Sequence, residues 1–117
     1  MRFLLLLALL ASKFKRAARK NQGFEKLLMG HECSIVIKTN DGRKGRRFLF
    51  RNGGFATDSD LDQFDAALVW TDAKTAFHAM RRGDQGIRDA LQNHLVAIEG
   101  KLHSFSWFRA AIRSLKG

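Results

Sequence analysis

The sequence predicts an α+β domain: an about five-stranded, mostly antiparallel sheet with helices packed on one face. Three observations carry that expectation. Residues 32–57 alternate apolar and polar positions and are broken by two Gly-containing turns, apolar residues recur at helical spacing after Trp70, and a lone alternating run returns before a final amphipathic stretch. At 117 residues the chain suits one domain with one core, and no internal repeat or low-complexity linker interrupts it.

At the N-terminus, Arg2 precedes the apolar run Phe3 to Ala11, and Lys13, Lys15, Arg16, Arg19 and Lys20 follow within eight positions. Nine apolar residues are too few for a hydrocarbon core that needs about twenty. A signal peptide is the rival reading, but no small-x-small cleavage pattern stands near Ala8 to Ser12 and the basic cluster opposes export. What remains is a helix from about Arg2 to Lys20, with Phe14, Ala17 and Ala18 toward its apolar side. Its five clustered cations suit an anionic membrane surface, and Leu4 to Leu10 could equally cover the domain's own core or tunnel. We divide the chain at 1–28, the apolar and basic helical segment, and 29–117, the domain proper.

The strands come next. Glu32 to Thr39 places Cys33, Ile35 and Ile37 on one face, and Asn40-Asp41-Gly42 turns it. Lys44 to Arg51 sets Phe48 and Phe50 opposite Arg47, Leu49 and Arg51, and Asn52-Gly53 leads into Gly54 to Thr57. A strand at Asp65 to Trp70 follows. Thr71-Asp72 then caps a helix carrying Ala73, Ala76, Phe77 and Met80, Gly83 stops it, and Asp84 caps a second one with Ile87, Ala90 and Leu91. His94 to Glu99 extends again. Ser104 is the expected cap of a last helix with Phe105, Phe108, Ile112 and Leu115 inward and Arg109, Arg113 and Lys116 outward.

This order, with Asp65 and Leu68-Val69-Trp70-Thr71-Asp72, and with Leu95 to Gly100 ending Ile-Glu-Gly, resembles the sterol carrier protein type 2 family, in the form of a small bacterial single-domain member. The likeness runs from about Glu32 to Leu115. Many members carry an acid after the final Gly, and this chain departs from them with Lys101. The resemblance implies a sterol-carrier-like fold enclosing an apolar tunnel. It also implies non-covalent carriage of a fatty acyl, sterol-like or isoprenoid molecule, and some bacterial relatives are accessory factors in ubiquinone synthesis.

Composition permits that activity and narrows the rest. Ten Phe and two Trp without a Tyr make the aromatic material almost wholly apolar. The single cysteine, Cys33, rules out an internal disulfide and reads as a small buried hydrophobe rather than a nucleophile activated by His31. His31, His78, His94 and His103 are too scattered for a metal site. Asp58-Ser59-Asp60-Leu61-Asp62 opens like a calcium loop but has Gln63 at the sharp-turn Gly position and Val69 at the closing Glu position, so it reads as a solvated loop facing Arg46 or Arg47. No P-loop, catalytic triad or carboxylate pair stands out, so we expect no enzyme, no metal and no cofactor.

A formal charge of +10 demands a partner. Nucleic acid is the competitor from another class, since Arg43, Lys44, Arg46, Arg47 and Arg51 crowd one hairpin around Phe48 and Phe50. The alternation of those rings predicts inward packing instead of a stacking platform, which makes nucleic acid the weaker reading beside a basic adaptor domain. The expected tunnel walls are Phe48, Phe50, Leu68 and Trp70 from the sheet, Phe77, Met80, Ile87 and Leu91 from the paired helices, and Trp107, Phe108 and Ile112 from the last helix. The expected partners are an apolar lipid, an anionic membrane surface, a lipid-metabolising enzyme and a second copy of the chain. The expected location is cytoplasmic, peripheral on the inner membrane.

Overall fold

The computed structural model describes residues 2–20, 32–51 and 54–115. Helix α1 (Arg2–Lys20) is followed by strands β1 (Cys33–Thr39), β2 (Gly45–Arg51), β3 (Gly54–Asp58) and β4 (Ala66–Trp70). Helices α2 (Ala73–Met80) and α3 (Asp84–Gln92), strand β5 (Val96–Gly100) and helix α4 (Leu102–Ser114) complete the chain. The strands form one sheet in the order β3-β2-β1-β4-β5. Its pairings are antiparallel except for β1 with β4, which run parallel. The α+β, mostly antiparallel architecture expected from the sequence is therefore present.

The alternation of the strands sorts the two faces. Register places Ile35 beside Phe48, Ile37 beside Leu68 and Phe50 beside Phe55. Cys33, Ile35, Ile37, Phe48, Phe50, Leu68 and Trp70 are all buried in the core that the helices cover. Helix α1 belongs to that core. Phe3, Leu7, Ala11, Phe14 and Ala17, spaced by three or four residues, form its buried stripe. Phe14 meets the rings of Phe48, Phe50, Phe55 and Phe108 at centroid separations of 5.0 to 6.0 Å. The expected boundary at 28/29, with His31 and the Asn52-Gly53 turn, lies outside the described residues.

The opposite face is crossed by the connection from β3 to β4. Arg47 grips Asp58 with two hydrogen bonds of 2.8 and 2.6 Å and donates to the Gln63 carbonyl at 3.1 Å. Lys38 lies over the Phe64 ring. The acidic loop is thus engaged by Arg47, one of the two partners expected for it.

Asp65 ties three strand ends together. Its carboxylate accepts from the Ser34 amide at 2.8 Å, its amide donates to the Ser34 hydroxyl at 3.0 Å, and its carbonyl accepts from the Lys101 amide at 2.8 Å. Gly100 adopts φ +87°, and a Cβ there would overlap the Asp65 carbonyl oxygen. These contacts give Asp65 and the Ile-Glu-Gly ending a structural role at one joint of the sheet. Lys101 folds back toward the Asp65 carboxylate at 3.5 Å.

Three local expectations are corrected. Asp72 caps α2 as expected, its carboxylate accepting from the Thr75 amide at 2.7 Å, but α3 is capped by Gly83 and Asp84 is its first helical residue. Asp84 is drawn away from capping by two arginines of α4. Helix α4 begins at Leu102 with Lys101 as its cap, so Ser104 is a buried residue of the first turn. The last strand begins at Val96, because His94 takes a left-handed φ of 58° as the chain leaves α3.

Candidate functional site

An apolar cleft of about 280 Å³ opens between the helices. Leu6, Leu9, Leu10 and Lys13 of α1 form one wall. Met80 at the end of α2, Arg81 to Gly83 in the following turn and Ile87 of α3 form the second, and Ile112 and Leu115 at the end of α4 close the third side. The size lies just below the ~300–1,000 Å³ typical of ligand pockets.

The wall is fixed by close packing and by one ion-pair cluster. Gly86 lets α3 approach α2 so closely that a Cβ would overlap the Ala79 carbonyl oxygen. Asp84 receives two hydrogen bonds from Arg109, at 2.7 and 3.0 Å, and a longer one from Arg113 at 3.4 Å. Bidentate, charge-assisted pairing of this kind fixes orientation as well as adding energy. The Arg109 guanidinium holds the Asp84 carboxyl below the usual carboxylate range. Asp84 therefore pins the start of α3 to α4, next to Ile87 and Ile112.

The residues expected to line a tunnel separate into groups. Met80, Ile87 and Ile112 line the cleft. Phe48, Phe50 and Phe108 are fully buried in the ring cluster around Phe14, and Trp107 packs edge-on to Phe50 at 4.9 Å. Leu68 and Trp70 are fully buried on β4, and Leu91 is partly buried against the core. Phe77 is partly buried against the edge of the core, between the guanidiniums of Arg2 and Arg81. Leu6, Leu9, Leu10, Lys13 and Leu115 were not named among the expected tunnel walls, although one of the two readings of Leu4 to Leu10 had that run cover the core or tunnel. Helical spacing from the buried stripe of α1 was the signal that could have found the first four.

Lys13, Lys15, Arg16, Arg19 and Lys20 are all on α1 and all exposed there. Lys13, Arg16 and Lys20 continue the outward stripe of Leu5 and Leu9, which are 62% and 53% exposed. The outer side of α1 is thus apolar in its first half and cationic in its second, and Leu9 and Lys13 belong also to the cleft. No helix among the described residues is long and apolar enough to cross a membrane.

Other chemistries find little support in the geometry. Burial, and secondarily the Asp65 carboxylate, push the Cys33 thiol up to about 12, so it stays protonated at neutral pH. Phe48 and Phe50 face the core, so the basic hairpin between them offers no exposed rings for stacking bases.

This arrangement, five strands in the order β3-β2-β1-β4-β5 under one helical layer, is the sterol-carrier-protein-like fold. The chain is similar to a solved UbiJ-SCP2 ubiquinone synthesis protein, with 12% identity over 92% of this chain and 90% of that one, at a TM-score of 0.65. A conserved hypothetical protein from Thermus thermophilus, described as a possible sterol carrier protein, aligns at 14% identity over 90% of this chain and 80% of that one, TM-score 0.56. The inverting sec-alkylsulfatase Pisa1 from Pseudomonas sp. aligns at 18% identity over 75% of this chain but only 14% of its own, TM-score 0.56. No protein-family model and no curated protein sequence matches the chain significantly.

Proposed function

We propose that this chain binds an apolar lipid without chemical change and carries it, taking the lipid between its helices. The observation that carries this reading is the cleft itself, lined by Leu6, Leu9, Leu10, Met80, Ile87, Ile112 and Leu115 within a sterol-carrier-like fold. Burying each methylene contributes roughly 0.8 kcal/mol, so an acyl or isoprenoid chain gains affinity without a strong polar anchor, and selectivity among such chains is broad. Met80 suits the role because its flexible thioether adapts to irregular ligands.

The mouth of the cleft adjoins the outward stripe of α1. Leu5 and Leu9 would enter the interfacial region of a bilayer while Lys13, Arg16 and Lys20 meet anionic headgroups, each basic residue contributing about 1 kcal/mol. Docking in that pose brings Leu9 and Lys13, and with them the cleft, to the source of the lipid. The likeness to a ubiquinone synthesis protein supports an accessory role beside a lipid- or quinone-modifying enzyme.

Native mass spectrometry of the protein purified from its own host, followed by solvent extraction, tests the reading. A stoichiometric fatty acyl or isoprenoid adduct is expected. A clean apo mass, with no uptake of either class on later exposure, would overturn it.

A further inference from the structure

A second recess lies on the far side of α2, between the first turn of α1 and the β1–β2 turn. It has a volume of about 490 Å³ and is lined by Arg2, Lys44, Lys74 and His78 together with Phe77 and Ala73. With a net charge of +10, unpaired cations on this protein mean little singly. Here basic groups from three separate segments of the chain converge on one concavity.

Several acids among the described residues are committed elsewhere. Asp58 is held by Arg47, Asp84 by Arg109, Asp89 by Arg82 and Asp65 by Lys101. The nearest carboxylates in sequence and space border the adjoining recess, and both are occupied. Asp72 caps α2 through the Thr75 amide, and Asp41 accepts from the Thr39 hydroxyl at 2.6 Å and the Arg43 amide at 3.0 Å. Among the described residues no carboxylate lies within ion-pair distance of Arg2, Lys44, Lys74 or His78.

The first turn of α1 carries no acidic residue, so its positive end adds to the same potential, whereas the Asp72 carboxylate caps the positive end of α2 and offsets part of the Lys74 charge. Phe77 gives the recess an apolar floor, with the Arg2 guanidinium 5.7 Å from its ring centre. An occupant must therefore be compact and multiply charged, able to accept from an arginine fork, two ammonium groups and an imidazole. A carboxylate supplies one negative charge, whereas a phosphate monoester or diphosphate supplies two or more and several acceptor oxygens.

We propose that the recess formed by Arg2, Lys44, Lys74 and His78 is a binding site for a phosphoryl group, a phosphate monoester or diphosphate. The site is independent of the lipid cleft. The phosphoryl group comes either from a lipid headgroup or from a free phosphorylated molecule.

Titration of the ¹⁵N-labelled full chain with sodium pyrophosphate at constant ionic strength tests this by amide shifts. Saturable shifts are expected at Lys44 and across Ala73 to His78, and the double variant Lys44→Ala/Lys74→Ala should weaken binding at least tenfold. A charge-matched variant, Lys15→Ala/Arg19→Ala, should change it less than twofold. Absence of saturable shifts, or equal weakening by both variants, would overturn the proposal. Monomeric dihexanoyl phosphatidic acid resolves the source: tenfold tighter binding than pyrophosphate, lost in the Lys44→Ala/Lys74→Ala variant, supports a headgroup, and equal or weaker binding supports a free phosphoryl compound.

Discussion

Asp84 shows how one residue sets the geometry of the candidate site. Its carboxylate spans α3 and α4 through Arg109 and Arg113 and is mostly shielded from solvent. Replacing it by Asn leaves two guanidiniums without their anion and should destabilise the protein by about 1–3 kcal/mol, read as a lower midpoint in urea with unchanged slope. Because its folded-state pKa lies below the unfolded value, the unfolded chain takes up the proton first. The contribution is therefore full above pH ~4 and fades as pH falls through the folded pKa. The Asn variant should lose part of the wild-type acid sensitivity, and an unchanged pH profile would remove Asp84 from this role. In the sequence Asp84 was legible only as a cap. Its arginine partners stand 25 and 29 residues away, and spacing carries no information about such pairs.

Among the elements, α1 presents two distinct faces. Its inner stripe is core, so removing residues 1–20 would strip Phe3, Leu7 and Phe14 from the ring cluster and sheet. Its outer stripe can be altered without touching that core. Lys13→Ala/Arg16→Ala/Lys20→Ala should lower partitioning onto anionic vesicles by about two orders of magnitude at 0.1 M salt, at about 1 kcal/mol per cation. Wild-type binding should itself fall with salt, since surface charges are screened over ~10 Å at that concentration. Sedimentation with equal recovery on neutral and anionic vesicles at any salt would contradict the docking surface. The length and amphipathic character of α1 were readable because apolar and basic residues separate along and around it. That its inner stripe packs on Phe48 and Phe50 was one of two open readings, since the same leucines suit a membrane or a core.

The whole molecule follows from strand alternation more than from any motif. Cys33-Ile35-Ile37, Phe48-Phe50 and Leu68-Trp70 each announced a buried face, and the sheet places all three on one side under the helices. The helix–strand order from Asp65 to Gly100 was equally plain, and Asp65 and Gly100 prove to be a joint with specific hydrogen bonds and a left-handed glycine. The site was less legible. Hydrophobicity marks Phe48 and Ile87 alike, yet the first fills the ring cluster and the second borders open space. That difference depends on how α1 and α4 approach the sheet. Only three of the tunnel residues expected from sequence, Met80, Ile87 and Ile112, line the cleft, because space between helices is a property of their separation and not of any one pattern.

Intermolecular NOEs in methyl-labelled protein saturated with palmitate test whether an apolar chain lies in this cleft. Contacts from the acyl chain to Met80, Ile87, Ile112 and Leu10 at one ligand per protein are predicted. Absence of a stoichiometric complex, or contacts confined to other methyl groups, would contradict it.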